Sequence, residues 1–346
     1  MTKITKPTLK WVGGKTKLKS LIADAAKIVI NQNSEPFDYY EPFFGGGSIF
    51  FHLKDLSYID NAYLNDTIPQ LVSYYEVIAD PKNLNSFYEQ CKKIEKKFNS
   101  KSLQTTDKLS NIKRKIEFEN LVKEFNSFWV NEKIVKNENG REAKEFLQIG
   151  PNNISQKIRS AVLMQSINKL CFNGMFRVNS NNKFNVPIGR YQKVDIINEE
   201  NLKNVSSYLF KAKITCGTYK ETIKNIKGRK NFIYLDPPYI PNSNTSNFTD
   251  YSSQGFKYED HLELGNVFLE LVKNKNNVVL SNNNNELSRK IFLQNKNLFA
   301  YEVLVSKSIN RNKEGRGKTA ELLISTFDLH DLVKKYKLKS IRFKNN

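Results

Sequence analysis

Along the chain, short apolar runs rich in β-forming residues alternate with longer segments in which apolar positions recur at helical spacing. The most informative run covers residues 232–235 and has the composition of a buried central strand. It stops at Asp236-Pro237-Pro238-Tyr239, because proline cannot donate to the ladder of a sheet. We therefore expect a carboxylate and an aromatic ring at the carboxyl end of a strand, where open α/β sheets bind their ligands.

The N-terminal part of the chain has the order strand, glycine-rich loop, helix, strand. Residues 38–41 read as the first strand, residues 42–48 as the loop and residues 58–64 as the second strand, which closes on Asn65 and Asp66. An acid about 20 residues past such a loop is the usual partner of ribose hydroxyls. A glycine-rich loop alone is a weak signal, but together with the acid it indicates a nucleoside cofactor.

A second glycine turn, Gly13-Gly14-Lys15, precedes a segment of helical period that begins near Leu18. It is not a phosphate-binding P-loop, because that motif needs a glycine where Leu9 stands. A Gly-Gly turn at the start of a helix can still present N–H groups to a carboxylate, with Lys15 as a counter-charge. A plain helix-start turn explains this stretch equally well.

The amino-acid composition changes in the middle of the chain. Residues 80–157 are rich in lysine, glutamate and asparagine, which predicts a helical insert with solvated charged faces and no parallel strands. Residues 161–170 have a helical pattern, and the segments on either side of the polar tetrapeptide 180–183 alternate as in a β-hairpin. The predicted hairpin carries Arg and Asn, which can read base edges, and Phe, Met and Tyr, which can stack or wedge. A plain antiparallel hairpin is the alternative.

The C-terminal half predicts further elements of an α/β fold. They are a strand edge at 214–219, a loop at 241–256, a helix at 259–273, a strand at 277–281, a basic hairpin tip at 306–320, a strand at 322–325 and a solvated basic tail from 331. We expect four parts: 1–79 and 205–330 as the two halves of a catalytic domain, 80–204 as an inserted recognition domain, and 331–346 as the tail.

The charge balance points to a polyanionic partner. Among 346 residues, 55 Lys and Arg face 35 Asp and Glu, a formal charge of +20, which favours nucleic acid first and an acidic membrane second. A Lys/Asn-rich proteome would give the same bias. The three cysteines are far apart, no Cys/His cluster has the spacing of zinc ligands, and there is neither a signal peptide nor an apolar run of membrane-spanning length. These features predict a reduced, soluble, intracellular protein without a metal site.

The Asp-Pro-Pro-Tyr motif suits the methylation of an exocyclic amine. The lone pair of the adenine N6 amino group is delocalised into the ring, so this nitrogen is a poor nucleophile. Asp236 and the carbonyl of Pro237, by accepting its two hydrogens, would favour a tetrahedral nitrogen with a usable lone pair. Tyr239 would stack on the base. The alternative is a Pro-Pro turn after a core strand with an incidental aspartate.

Taken in order, four segments resemble the Dam-like site-specific DNA N6-adenine methyltransferases of the alpha group, over about residues 9–325. They are Leu9-Lys10-Trp11 with Gly13-Gly14-Lys15, Glu41-Pro42-Phe43 with residues 45–48, the segments FNGMFRVN and FNVPIGRY, and DPPY. This resemblance implies a Rossmann-like α/β fold with a mixed sheet and an inserted target-recognition domain of helices and a β-hairpin. It also implies S-adenosyl-L-methionine as the methyl donor.

The same resemblance implies roles for individual residues. The catalytic set is Asp236, Pro237 and Tyr239. The cofactor-binding set is Trp11, Lys15, Glu41, Phe43, Gly45, Asp66, Tyr219 and Asp236. The DNA-binding set is Lys10, Phe172, Asn173, Met175, Arg177, Asn179, Pro187, Arg190, Tyr191 and Arg311.

The resemblance further implies that a monomer binds double-stranded DNA, extrudes an adenine and methylates it, with GATC or a related short palindrome as the expected target. A base inside a stacked pair cannot reach the cofactor, so extrusion is required. Two alternatives stay open: an amino-group methyltransferase acting on RNA or protein, and a non-catalytic DNA-binding relative.

Overall fold

The chain forms two compact units, each assembled from three separate segments. The computed structural model describes residues 4–13, 15, 18–103, 108–136, 142–228, 230–241, 256–306 and 318–341. The first unit comprises Met1–Gly14, Gly45–Phe51 and Ile68–Cys216. The second unit comprises Lys15–Phe44, His52–Thr67 and Gly217–Asn346. Arg311, Gly14 and almost all of the predicted loop at 241–256 lie outside the described residues.

The second unit is built on a mixed sheet. Its strands are β1 (Phe37–Glu41), β2 (Ile59–Asp66), β6 (Asn231–Leu235), β7 (Val278–Asn283), β8 (Phe299–Ser306), β9 (Lys318–Ser325) and β10 (Lys339–Ser340). They follow the order β10-β8-β9-β7-β6-β1-β2. The pairs β1–β2, β1–β6 and β6–β7 are parallel, whereas β7–β9, β8–β9 and β8–β10 are antiparallel. This arrangement confirms the predicted α/β class with a mixed sheet.

The parallel strands explain where a site can form. Every residue of β6 is buried, as the apolar run predicted, and β6 lies between β1 and β7. Because β1, β2, β6 and β7 run in the same direction, their carboxyl ends meet at one edge of the sheet. The residues that end these strands include Glu41, Asp66 and Asn283, and Asp236 follows directly after β6.

The helices of the second unit cover this sheet. They are α1 (Lys19–Asn33), α8 (Lys220–Ile223), α9 (Tyr258–Lys273), α10 (Glu286–Phe292) and α11 (His330–Tyr336). Helix α2 (Ser48–Asp55) begins in the first unit and ends in the second. Residues 330–341 have exposed lysines, as expected of a solvated segment, but they form regular elements: α11 contacts α1, and β10 pairs with β8.

The first unit is largely helical and is organised around one buried helix. Its elements are α3 (Pro69–Ala79), α4 (Pro81–Phe98), α5 (Lys108–Trp129), β3 (Val130–Lys136), β4 (Glu142–Gln148), α6 (Ile154–Leu170), α7 (Glu199–Leu209) and β5 (Lys213–Cys216). Helices α3, α4 and α5 all pack against α6. Almost every α6 side chain from Ser160 to Leu170 is buried, as expected of a helix surrounded on all sides.

The insert is not wholly helical. Strands β3 and β4 form an antiparallel ribbon between α5 and α6, with Val130 opposite Gln148. The prediction of helix over this stretch was wrong because its charge-rich sequence has no clear strand period: in β4, Lys144 and Glu145 are adjacent, and so are Phe146 and Leu147. None of the helices in the described ranges is both long and apolar enough to cross a membrane.

His261 on α9 makes the stability of the second unit depend on pH. Its side chain is buried, its ring packs edge-on against Phe256 at 4.7 Å, and Nδ1 has no hydrogen-bond partner within the described part of the chain. Burial lowers the pKa of His261 to about 4. In an unfolded chain a histidine has a pKa of about 6.5, so between these values the unfolded state binds more protons.

We therefore expect the free energy of unfolding to fall as the pH falls from about 6.5 to about 4, because protons favour the unfolded chain in this window. His261→Leu should remove this part of the pH dependence. Urea unfolding of both proteins at several pH values within the window measures the difference. An identical pH dependence in the two proteins would contradict the assignment.

Candidate active site and recognition loop

In the second unit, the turn after β6 is fixed by asparagines of the neighbouring strand. The amide N–H of Ile240 donates to Oδ1 of Asn282 at 3.1 Å, and Nδ2 of Asn283 donates to the Ile240 carbonyl at 2.6 Å. Asn285 donates to the same carbonyl at 3.1 Å. The two prolines have no backbone N–H groups to donate to a sheet. The side-chain amides of these asparagines therefore hold the chain that follows the prolines.

Asp236 is held by two donors on one oxygen. Oδ1 accepts from Ser281 Oγ at 2.8 Å and pairs with Lys15 Nζ at 2.8 Å. Only 10% of the Lys15 side chain and 17% of the Asp236 side chain are exposed. Tyr234 OH lies 3.0 Å from Ser281 Oγ, which extends the network into the core of β6. The carboxylate therefore has a fixed position at the end of the strand.

Tyr239 lies in the same network. Lys15 Nζ is 4.5 Å from the centre of its ring, and its hydroxyl donates to Glu321 Oε2 at 2.8 Å. Burial raises the pKa of Tyr239 well above its usual value, and the charge of Asp236 adds to the effect. The hydroxyl thus stays a donor to Glu321, which holds the hydroxyl end of the side chain in place. Lys15 was assigned to the cofactor, Tyr239 to the catalytic set and Asp236 to both, and the structure brings the three into one cluster.

Glu41 is a second, deeply buried acid at the end of β1. It is 3% exposed and accepts a hydrogen bond from Tyr39 OH at 2.9 Å. Burial raises the pKa of Glu41 well above its usual value, the charges of Asp236 and Asp66 raise it further, and Tyr39 and Lys15 oppose the change.

Asn65 positions Asp66 at the end of β2. The buried Asn65 amide donates to the carbonyls of Pro42 at 3.1 Å and Gly217 at 2.9 Å. The Gly217 amide donates to the Asp66 carbonyl at 3.1 Å. These bonds tie the chain after β1 and the chain before α8 to the end of β2. The half-buried Asp66 side chain therefore follows a segment that these hydrogen bonds hold in place. Asp66 is the acid that the sequence predicted to bind ribose hydroxyls.

Three aromatic rings pack together beside these strand ends. Phe43 stacks on Tyr219 with ring centres 5.6 Å apart, and Phe256 packs edge-on against Phe43 at 6.0 Å. Tyr219 OH donates to Glu263 Oε2 at 3.3 Å. Phe43 is only half buried, so its ring is accessible to a flat ligand. Phe43 and Tyr219, both predicted to bind the cofactor, are therefore in contact.

In the first unit, residues 171–191 form an antiparallel loop rather than a regular β-hairpin. Within this segment, described throughout, the pairing is two isolated bridges, Cys171–Ile188 and Val178–Phe184. A short 3-10 turn covers Phe172–Gly174. The two halves of the segment run antiparallel, as predicted, but they do not form the regular strands of the predicted hairpin. We call residues 171–191 the recognition loop.

Amide side chains replace the missing ladder of the recognition loop. Asn126 of α5 pairs with both backbone groups of Phe184: Oδ1 accepts from the amide at 2.8 Å and Nδ2 donates to the carbonyl at 3.2 Å. Asn179 Oδ1 accepts from the amides of Asn181 and Lys183 at 3.0 and 3.1 Å. The side-chain oxygen of Asn179 therefore already accepts two hydrogen bonds from the backbone of the loop.

Asn168 of α6 joins the recognition loop to the N-terminal segment. Its Oδ1 accepts from the Lys10 amide at 2.8 Å, and its Nδ2 donates to the carbonyls of Lys10 at 2.8 Å and Gly174 at 2.9 Å. Gly174 has φ +65°, and a Cβ there would lie 2.5 Å from the Lys10 side chain. The Lys10 ammonium group lies 4.9 Å from the centre of the Tyr191 ring.

The recognition loop presents most of its predicted DNA-binding side chains to solvent. Phe172 is 43% exposed, although a large apolar ring normally avoids water. Arg177 is ordered by its neighbour, because Nε donates to Asn185 Oδ1 at 2.9 Å. The exposed members are Lys10, Phe172, Asn173, Arg177, Asn179, Pro187 and Arg190, and the half-buried members are Met175 and Tyr191.

Two further residues predicted to bind the cofactor lie in the first unit. The Trp11 indole packs on Gly45, and the Gly45 carbonyl accepts from Tyr75 OH at 2.9 Å. Sequence reasoning missed several residues that fix these sites, which are Asn126, Asn168, Ser281 and Glu321. No motif marks them. Their roles arise from neighbours that are distant in sequence.

Comparison with known proteins decides the family. The family model described as D12 class N6 adenine-specific DNA methyltransferase matches residues 11–308. The chain belongs to this family. The methyltransferase is 31% identical over 280 residues to the Type II methyltransferase M.MjaIII of Methanocaldococcus jannaschii, which covers 81% of this chain and 85% of that protein.

Two other relatives span nearly the whole methyltransferase. The Type II methyltransferase M1.LlaDCHI of Lactococcus lactis subsp. cremoris is 28% identical over 325 residues, or 93% of this chain and 95% of that protein. A DNA adenine methylase of Vibrio cholerae is 27% identical over 317 residues, or 91% of this chain and 94% of that protein. In the ranges that the structure describes, no group of His, Cys, Asp and Glu side chains could hold a metal ion.

The three hydrogen bonds of the Asn168 side chain, which we call the clamp, should stabilise the folded protein. Asn168→Leu would leave the Lys10 amide and two carbonyls without their partner, and each buried unsatisfied group costs about 1–3 kcal/mol. We expect the free energy of unfolding of the methyltransferase to fall by about 2–4 kcal/mol in urea titrations. The exposed Asn152→Leu is the matched control and should stay within about 0.5 kcal/mol of the native protein. Equal effects of the two substitutions would contradict the clamp.

Proposed function

We propose that this methyltransferase transfers a methyl group from S-adenosyl-L-methionine to N6 of an adenine extruded from duplex DNA. The observation that carries the proposal is the cluster of Lys15, Asp236 and Tyr239 at the carboxyl end of β6, with distances of 2.8 and 4.5 Å from the Lys15 ammonium group to the Asp236 carboxylate and to the centre of the Tyr239 ring. It joins an acceptor for an amine to an aromatic platform for a base.

In the proposed reaction, Asp236 and the Pro237 carbonyl accept the two N6 hydrogens. Accepting both hydrogens withdraws the nitrogen lone pair from the adenine ring, so that it can attack an electrophile. Tyr239 stacks on the base and fixes its orientation, a role that its hydrogen bond to Glu321 supports. The rate enhancement comes from positioning and from hydrogen bonds aimed at the reacting amine. The N6 proton leaves by way of the Asp236 carboxylate or water.

The residues at the strand ends fit a nucleoside cofactor with a charged amino-acid tail. Asp66 suits ribose hydroxyls, the half-buried Phe43 ring suits a purine, and Lys15 suits a carboxylate. Glu41, buried at the end of β1, offers a polar group to the same ligand. When bound, S-adenosyl-L-methionine supplies a methyl group on a sulfonium centre. Sequence resemblance alone assigns Trp11, Gly45 and Tyr219 to the same ligand.

In the first unit, the recognition loop is proposed to contact the DNA. Arg177 and Asn173 have side chains that can read base edges, and the exposed Phe172 ring can fill the gap left by an extruded base. Because the Asn179 oxygen accepts from two backbone amides, Asn179 can offer a base only its amide hydrogens. Lys10 and Arg190 supply positive charge for phosphates.

GATC is the proposed target, and the proposed active form is a monomer. Plasmid from methylation-free cells that express the protein should resist a nuclease blocked by methylated GATC. If it does not, single-molecule sequencing of the same DNA identifies another methylated motif, which would replace GATC but keep the proposed activity. Folded protein that leaves no N6-methyladenine in any DNA would contradict the activity and favour an RNA or protein substrate.

Asp236→Ala should abolish methylation, because the substitution removes the acceptor for the amine. The measurement is methyl incorporation into duplex DNA, together with DNA affinity, which should change less than about threefold (~0.7 kcal/mol) because the recognition loop is unaltered. The exposed carboxylate of Asp331 provides the matched control, and Asp331→Ala should methylate at the native rate. Retained turnover in the Asp236 variant would refute the assigned role.

Arg177→Ala should lower discrimination between the target and singly substituted sites by about 1–3 kcal/mol if Arg177 reads a base. Asn185→Ala, which removes the acceptor that orients the guanidinium group, should have a smaller effect in the same direction. Binding is measured on matched duplexes at one salt concentration, because phosphate contacts depend steeply on salt. A uniform loss of affinity on all duplexes would show that Arg177 contacts only phosphate.

A further inference from the structure

One lysine of the recognition loop is held by both strands of the β3–β4 ribbon. Lys183 Nζ donates to Glu132 Oε2 of β3 at 2.9 Å, and the same ammonium group lies 4.7 Å from the centre of the Phe146 ring of β4. Glu132 and Phe146 are directly opposite each other in the ribbon, so their side chains share one face of it. All three residues belong to the first unit.

Glu132 binds a lysine with each of its two oxygens. Oε1 pairs with Lys144 Nζ at 2.6 Å, and Oε2 pairs with Lys183. The hydrogen bonds from Lys144 and Lys183 lower the pKa of the Glu132 carboxyl to about 2, so the carboxylate is charged at neutral pH. The Lys183 and Glu132 side chains are partly exposed, and an isolated pair of this kind holds little. A network of three charges with an aromatic ring is a firmer restraint.

The hold on the Lys183 side chain reaches the main chain of the recognition loop. The Asn179 amide donates to the Lys183 carbonyl at 2.9 Å, and the Lys183 amide donates to Asn179 Oδ1 at 3.1 Å. Two residues further along, the Asn185 amide donates to the Arg177 carbonyl at 3.2 Å, and Asn185 Oδ1 accepts from Arg177 Nε at 2.9 Å. Lys183 is therefore two residues from the side chain that orients Arg177.

The segment that joins these contacts borders open space. We call residues 183–188 the returning limb. A cavity of about 720 Å³ lies between α5, the start of β3 and the returning limb, with Lys183, Asn185 and Pro187 in its lining. A segment beside a cavity has fewer packing contacts on that side, so its position depends more on the contacts that Lys183 makes.

We propose that Glu132 and Phe146 are positioning residues for sequence recognition, which hold the returning limb through Lys183 so that Asn185 keeps the Arg177 guanidinium group oriented. The inference rests on the proposed function, because it requires that the recognition loop reads DNA. It gives Lys183 a role other than phosphate binding, since the ammonium group is already paired with a carboxylate. The ribbon then contributes to specificity and need not touch the DNA.

The first test compares two glutamates of the same ribbon. Glu132→Gln removes the charge that pairs with Lys183, whereas Glu145→Gln removes a charge from an exposed residue on the opposite face. Discrimination between the methylated site found by sequencing and singly substituted duplexes should fall about two- to fivefold in Glu132→Gln, the factor expected of a partly exposed ion pair, and stay native in Glu145→Gln. Thermal melting confirms that both variants fold. Native discrimination by folded Glu132→Gln, or an equal loss in both variants, would overturn the proposal.

The second test separates positioning from phosphate binding. If Lys183 contacts a phosphate, Lys183→Met reduces the slope of log affinity against log salt by about 0.9 and weakens binding to all duplexes equally. We expect an unchanged slope and a loss of discrimination instead. The double variant with Glu132→Gln should discriminate as Lys183→Met does, because both substitutions break the same contact. A shallower slope, or losses that add in the double variant, would contradict the role of the ribbon.

Arg177→Ala distinguishes failure of this inference from failure of the proposed function. If the native protein binds no duplex, or if Arg177→Ala discriminates as well as the native protein, the proposed reading of DNA by the recognition loop falls and the role of the ribbon falls with it. If Arg177→Ala loses discrimination while Glu132→Gln keeps it, only the role of the ribbon falls.

Discussion

A carboxylate at the end of a buried strand must find donors, because its removal from water is costly. Asp236 meets this constraint with the Ser281 hydroxyl and the Lys15 ammonium group on a single oxygen, each at 2.8 Å. Parallel pairing of β6 with β7, with Leu235 opposite Leu280, brings Asp236 and Ser281 side by side. The register of the sheet therefore sets the chemistry, and a slip by one residue would turn Asp236 away from both donors.

The same lysine balances two acids. Glu41 lies deeper than Asp236, and burial together with the charges of Asp236 and Asp66 moves its pKa upwards. The charge of Lys15 thus acts on two carboxyl groups whose environments differ, although its ion pair is with Asp236. Different environments for neighbouring acids are how sites assign acceptor and donor roles at a single pH.

The sequence allowed strand β6 and the turn after it to be predicted, because the signals are local. An apolar run followed by two prolines determines where β6 ends. The acid that ends β2 is recognised by its spacing along the sequence from the glycine-rich loop. Ser281 and Asn168 carry no local signal, since their function comes from partners far along the chain. The ribbon β3–β4 and the irregular recognition loop were missed for a related reason: charged and amide side chains, rather than alternating apolar ones, define them.

The irregular recognition loop has a consequence for specificity. The loop has a few backbone hydrogen bonds of its own, such as that from the Phe172 amide to the Pro187 carbonyl at 2.8 Å, and amides of Asn126, Asn168 and Asn179 bind further backbone groups. Asn126 and Asn168 belong to helices outside the loop, so part of the support for its main chain does not come from side chains that the loop exposes. Arg177 can then be replaced with limited effect on the shape of the loop, whereas Asn179 cannot, because its oxygen binds two amides. Support from helices outside the loop lets an exposed side chain such as Arg177 change while those contacts with the main chain are kept.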